Sequence, residues 1–137
     1  MPTPTTPWRA VVHDGRRFVA LGGTDGDVRG SALVLTSADG EVWQRDDAAA
    51  EADARMLTAA TVLLDGRLLA VSSTGEESES DQSGGTRECA AAWLVTNDAR
   101  WTREELGCDG VPTSMGRLTD SRIAAVYWTT LFVRGPP

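Results

Sequence analysis

Short apolar runs separated by turn residues dominate this chain, and they recur in one order. Val11-Val12-His13 leads into Asp14-Gly15, then Phe18-Val19-Ala20-Leu21, then Leu33-Val34-Leu35, then Asp39-Gly40-Glu41-Val42-Trp43. Further on, Val62-Leu63-Leu64 leads into Asp65-Gly66, then Leu68-Leu69-Ala70-Val71, then Trp93-Leu94-Val95, then Asn97-Asp98-Ala99-Arg100-Trp101. Asp14 and Asp65 are 51 residues apart, and Trp43 and Trp101 are 58 apart. A third copy opens with Asp120-Ser121 and Ile123-Ala124-Ala125-Val126 and then stops short.

Runs of this length, bounded by Gly, Asp, Asn and Ser, read as strands rather than helices. The first unit predicts strands at 8–13, 17–22, 32–36 and 42–45. The second predicts them at 57–64, 67–72, 89–96 and 100–106. Residues 115–118, 122–129 and 131–134 would open a third sheet with no fourth strand. The Ala- and acid-rich stretch 46–55 reads as a connection with room for one helical turn. Continuous apolar runs fit strands buried on both faces. Four strands per unit at this period predict a β-propeller blade.

The expected fold class is therefore all-β, a partial β-propeller of two four-stranded blades plus an incomplete third. Residues 1–7 form a Pro/Thr-rich tail or linker, 8–56 blade one, 57–110 blade two and 111–137 the incomplete blade three. A complete propeller needs roughly four to eight blades of about 40–50 residues. The 137 residues present supply fewer than that.

The net charge is −7, with 20 acidic residues against 13 basic ones, all of them arginine. An acidic surface argues against nucleic acid, which needs clustered positive charge, and against anionic membrane surfaces. No run approaches the length of a membrane span. The opening Met1-Pro2-Thr3-Pro4-Thr5-Thr6-Pro7 has no apolar stretch of the kind a signal peptide carries.

Cys89 and Cys108 are the two cysteines. If 93–96 and 101–104 are antiparallel and a four-residue loop, Asn97 to Arg100, joins them, Thr96 faces Trp101. Residues whose numbers add to 197 then face each other, and Cys89 and Cys108 are such a pair. This register predicts a disulfide, with a bulge in either strand as the event that would shift it. A disulfide implies an oxidising compartment, hence an extracellular or cell-surface location. Two cysteines and one histidine cannot by themselves make a structural zinc site, so no metal or other cofactor is expected.

Ser37-Ala38-Asp39-Gly40-Glu41-Val42-Trp43 resembles the Asp box of sialidase-like (BNR-repeat) β-propellers, Ser-x-Asp-x-Gly-x-x-Trp. Here the turn is one residue shorter, because Gly40 directly follows Asp39. Thr96-Asn97-Asp98-Ala99-Arg100-Trp101 keeps the Asp and the Trp and lacks the Gly. The resemblance covers roughly residues 8–107. It implies that the motif joins the third and fourth strands of a blade, that Ser37 and Asp39 tie the turn together, and that Trp43 packs between sheets. The roles it implies for Ser37, Asp39, Gly40, Trp43, Asp98 and Trp101 are structural.

Catalysis of the sialidase kind would need an arginine triad, a Tyr–Glu nucleophile pair and an acid/base Asp. Tyr127 has no adjacent Glu, and Arg16, Arg17, Arg67, Arg100 and Arg122 are scattered beside turns. No catalytic residue is assigned. His13 reads as a turn-flanking polar residue, since no nucleophile accompanies it. The acidic run Glu76-Glu77-Ser78-Glu79-Ser80-Asp81, in a loop extending to Glu88, and Asp25-Gly26-Asp27 read as solvated loops without calcium-loop spacing. Of five tryptophans, Trp43, Trp101, Trp93 and Trp128 are expected in the core, and Trp8 is the candidate exposed aromatic for binding.

An incomplete propeller exposes apolar faces at both ends, and such faces need a partner. The expected function is a non-catalytic binding and assembly module whose propeller is completed by a protein partner or by self-association. The alternatives are an oligomeric propeller lectin that binds carbohydrate and a fragment of a sialidase-like glycoside hydrolase.

Overall fold

A computed structural model describes residues 8–24, 30–79, 86–96, 100–118, 122–127 and 130–134. They form three antiparallel sheets, each a meander in which consecutive strands pair. The first sheet contains β1 (Trp8–His13), β2 (Phe18–Gly23), β3 (Ala32–Ser37) and the short β4 (Gln44–Arg45). A single helical turn, α1 (Ala48–Glu51), follows in the Ala-rich connection where one was expected. The second sheet contains β5 (Leu57–Val62), β6 (Leu68–Glu79), β7 (Thr86–Val95) and β8 (Trp101–Gly107). The third contains β9 (Ser114–Arg117), β10 (Ile123–Tyr127) and β11 (Thr130–Arg134). The chain is all-β, and none of these sheets closes on itself.

The sheets are stacked through their first strands: β1 lies beside β5, and β5 beside β9. The first two sheets also share an irregularity. The β1–β2 ladder slips between Trp8 and Ala10, and the β5–β6 ladder slips between Leu57 and Ala59. The first strands of these two sheets, β1 and β5, thus each carry a bulge near their start, which bends them at the same place.

Strand alternation assigns the faces. In the second sheet, Leu68 and Ala70 of β6 share one face with Trp93 of β7, whereas Leu69 and Val71 share the other with Ala92. The first set packs against Val19, Leu21, Ala32 and Val34 of the first sheet and Ala49 of α1. The second set packs against Met115 of the third sheet. The middle sheet is apolar on both sides because it is covered on both sides. At the centre of the larger cluster the Trp93 indole Nε1–H donates to the buried Ser72 Oγ, at 2.9 Å. Ser72 in turn donates to the Ser73 carbonyl, at 3.0 Å.

Two readings of the sequence need correction. β7 and β8 pair with Trp101 opposite Val95 and Thr102 opposite Leu94, one residue off the expected register. The strands close through Thr96 N–H donating to the Arg100 carbonyl, at 3.0 Å, leaving three residues in the loop rather than four. The acidic stretch after Ser73 is not all loop. Glu77 pairs with Glu88, Ser78 with Arg87 and Glu79 with Thr86, so β6 and β7 extend as a hairpin arm beyond the sheet.

Candidate functional site

The turn between β3 and β4 is built by its side chains. Ser37, buried, accepts a hydrogen bond from Gly40 N–H on Oγ at 2.8 Å and donates to Asp39 Oδ1 at 3.1 Å. The same Asp39 oxygen accepts from Glu41 N–H at 2.9 Å and Val42 N–H at 3.0 Å. Gly40 sits at φ +82°, the left-handed region that side chains resist. The Val42 and Glu41 amides, with the Ser37 hydroxyl, hold the Asp39 carboxyl below its usual range. All three bonds converge on Oδ1 and come from the turn itself, which gives Asp39 a structural task there.

The hairpin turns are made in the same way. Asp14 Oδ1 accepts from Arg16 N–H and Arg17 N–H, at 3.0 and 2.9 Å. Partial burial pushes its pKa up, but those two amides and the two arginine charges outweigh it and lower it. Asp65 does the same with Arg67 N–H and the Arg67 guanidinium, which lower its carboxyl in spite of some desolvation. His13 Nδ1 accepts from Gly15 N–H at 3.1 Å, and its ring meets Phe18 edge-on, which is the turn-flanking role.

The tryptophans divide by position. Trp93 is fully buried, and Trp101 packs against the same core with its ring 6.4 Å from that of Trp93. Trp43 is half-buried, and its indole N–H donates to the Gly40 carbonyl at 3.1 Å, which caps the turn. Thr36 pairs with Gln44 as Leu94 pairs with Thr102, so Trp43 and Trp101 hold the same place in their sheets. Trp8 is half-buried rather than an exposed platform, and its Nε1 is buried with no hydrogen-bond partner. Asp98, Trp128, Asp25-Gly26-Asp27 and the 1–7 tail lie outside the described residues.

Cys89 and Cys108 are joined by a disulfide. It stands where the hairpin arm leaves the second sheet. Beside the arm, between the second and third sheets, lies a cleft of about 470 Å³, with Leu69, Val71, Met115 and Ile123 on its apolar walls and Glu104, Glu105 and Asp109 also lining it. The corresponding space between the first two sheets is filled by Trp93 and the alanines of the α1 connection. Among the described residues no group of three or more His, Cys, Asp or Glu could hold a metal ion. No helix among them is long and apolar enough to cross a membrane.

The sheet faces differ in how far they are covered. Leu63 N–H donates to Arg67 O just before β6, and Leu118 N–H to Arg122 O just before β10, so Leu68 and Ile123 start equivalent strands. Phe18 starts the equivalent strand of the first sheet. On the face turned towards the following sheet, the cross-strand pairs are then Leu21 with Val34, Val71 with Ala92 and Val126 with Leu131. Leu21 and Val34 are 0 % and 2 % exposed, and Val71 and Ala92 are 2 % and 6 %. Val126 and Leu131 are 37 % and 63 % exposed. The sequence reading expected apolar faces at both ends and named no residue on them. Alignment of the three strand starts was the signal that would have singled out Val126.

No protein-family model, curated protein or solved structure matches this chain.

Proposed function

We propose that this chain is a non-catalytic assembly module built from propeller-type blades, and that its terminal sheet faces are where protein partners attach. The exposed Val126–Leu131 pair carries the reading. It occupies a position that is buried wherever a further sheet follows, and an apolar pair left in water there is a surface made for burial. The propeller assignment draws support from the meander order of each sheet, the adjacency of the first strands, the matched bulges and the Ser37–Trp43 turn between third and fourth strands. The disulfide fits an oxidising, extracellular setting.

The alternatives draw less support. Each described tryptophan is partly or fully buried, so none of them offers a flat stacking face for a sugar. The described arginines beside turns brace their own hairpins or lie scattered, which is not the converging clamp a carboxylated sugar needs.

The test compares the wild type with a Val126→Lys/Leu131→Lys variant for apolar-dye fluorescence on dilution and for sedimentation with and without candidate partners. The variant should keep its disulfide and its thermal transition while losing dye binding and association. Identical dye binding and sedimentation by the two proteins would remove this face as a binding surface. Turnover of a fluorogenic sialoside would overturn the non-catalytic reading.

A further inference from the structure

We propose that the Cys89–Cys108 disulfide is a redox latch: a dithiol that reduces it frees the hairpin arm and the start of the connection to the third sheet, and so loosens one wall of the cleft between the second and third sheets.

The bond stands where the backbone ladders of the second sheet give out. Between β6 and β7 the ladder is continuous from Leu68–Val95 to Ser73–Ala90, then breaks, and resumes at Glu77–Glu88. Both residues of that resuming rung are acidic, and like charges set opposite each other weaken a rung. Between β7 and β8 the ladder slips after Ala91 and ends at Ala90–Gly107. Cys89 is therefore the residue next to the last rung of the sheet proper on both sides. Neither core cluster includes a described residue of the arm, so the arm can part from the sheet without opening the core.

The connection after β8 divides at the same point. Its far end is anchored: the buried Thr58 hydroxyl donates to the Pro112 carbonyl at 2.6 Å, and Thr113 N–H donates to the Val126 carbonyl at 2.9 Å. Gly110, Val111 and Pro112 are buried. Leu106, Gly107 and Asp109 are exposed, and the disulfide holds Cys108 between them. Gly110 N–H, donating to the Glu88 carbonyl at 3.1 Å, ties connection and arm together just beyond the bond.

The same residues wall the cleft. Ala90 follows Cys89, Gly107 and Asp109 flank Cys108, and all three line the cleft. Val71, Ala92, Ile123 and Ala125, each less than a tenth exposed, keep its floor whether the bond is made or broken.

The exchange balances without any other group. Cys108 is half-buried, whereas Cys89 is 7 % exposed, so attack falls on the Cys108 Sγ. One thiolate of the dithiol bonds to that sulfur, the bond to Cys89 breaks, and Cys89 leaves as a thiolate that takes up a proton. The second thiol of the dithiol then displaces Cys108. Two electrons and two protons pass to the protein, and the dithiol ends as a disulfide. An oxidising setting closes the latch again.

The experiment is hydrogen exchange read by mass spectrometry, with thiols counted and an apolar dye as the probe of the cleft. The samples are oxidised wild type, wild type reduced with dithiothreitol, the same sample reoxidised, and Cys89→Ala/Cys108→Ala. The folded protein should yield both thiols to dithiothreitol without denaturant. Amides of 74–79, 86–90 and 106–110 should then exchange about a hundredfold faster, the order that a cross-link of this loop size contributes. Those of 18–23 and 57–62 should keep their protection, and dye fluorescence should rise. Reoxidation should reverse both changes, and the double variant should behave as reduced protein in either buffer. Unchanged protection in the three segments with both thiols titrated would make the bond a passive staple and overturn the latch. Loss of protection throughout the three sheets would overturn it too, because the bond would then be a condition of folding. So would a bond that dithiothreitol reaches only in denaturant. Local opening with no change in dye binding would overturn the link to the cleft.

Discussion

Cys89 reaches Cys108 because β8 slips by one residue against β7. From Val95–Trp101 to Ala91–Glu105 the strands pair in one register, but Ala90 pairs with Gly107. Leu106 is the extra residue, and Gly107 takes φ +102° beside it. Without the slip, Cys89 would face Leu106's successor and not the cysteine. The bulge converts a three-residue loop at one end into a disulfide register at the other.

That bond should carry a large share of the stability of the second sheet. It closes a 19-residue separation. Cross-linking a loop of that size contributes about 3 kcal/mol in the chain-entropy model. Cys89→Ser/Cys108→Ser, or reduction of the wild type, should lower the denaturation midpoint by that order in a urea titration. An unchanged midpoint would mean that the hairpin holds its register without the bond.

Gly107→Ala should cost about 1–2 kcal/mol, the penalty of a side chain in the left-handed region. Nothing lies within 4 Å of the added carbon, so the cost is one of backbone conformation alone. Thermal unfolding of Gly107→Ala and Gly107→Asn should separate the two residues, with Asn the milder because it tolerates that region better.

Gly23 makes the opposite case. Its φ is ordinary, but an added Cβ would stand 2.6 Å from Met56 Cγ and 2.7 Å from Met56 Cβ. Met56 is wholly buried, so it cannot swing away. Gly23→Ala should destabilise by about 1–3 kcal/mol, the usual range for overpacking. Met56→Ala removes the Cγ contact but keeps the Cβ one, so a double-mutant cycle with Gly23→Ala should show a coupling smaller than the whole overpacking cost.

Trp93→Ala should be among the most damaging single changes, at about 3–5 kcal/mol. It empties the space between the first two sheets that the ring fills with Leu68 and Ala70. Trp93→Phe should cost less, because it retains most of the packing while surrendering the bond to Ser72. Near-ultraviolet circular dichroism together with urea titration would distinguish local loosening from global loss.

Acid should weaken the hairpin turns. Asp14, Asp39 and Asp65 are each held below the ordinary aspartate value of about 3.9 by hydrogen bonds present in the fold. A lowered folded pKa means that the unfolded chain binds protons first as pH falls. The stabilisation is therefore present above about pH 4 and is lost as pH falls through the lower, folded values. Urea midpoints should be flat from neutrality to about pH 5 and decline below pH 4. Asp39→Asn should blunt that decline; an equal decline in the variant would put the acid sensitivity elsewhere.

The local level of this fold was legible residue by residue. Asp-Gly turns, apolar runs and their recurrence place most strands, because a turn is specified by the few residues within it and a strand by its alternation. The Ser37–Trp43 turn was legible in the same way, since its donors and acceptors are neighbours in the chain. Pairing register was less so. The link between Cys89 and Cys108 was expected, but its path was not: a shorter loop and a bulge at Leu106 replaced the uninterrupted ladder. Two offsets of one residue cancel, and composition carries no trace of either.

By itself the sequence determined the repeat, the three-sheet count, the chemistry of the turns and the apolar character of both faces of the second strand of each sheet. Only the tertiary structure decided which of those faces meet. Leu21, Val71 and Val126 are interchangeable as written, three aliphatic residues at one strand position. The first two lie in the core and the third in water because burial depends on whether another sheet follows, and that is a property of the assembly rather than of the residue.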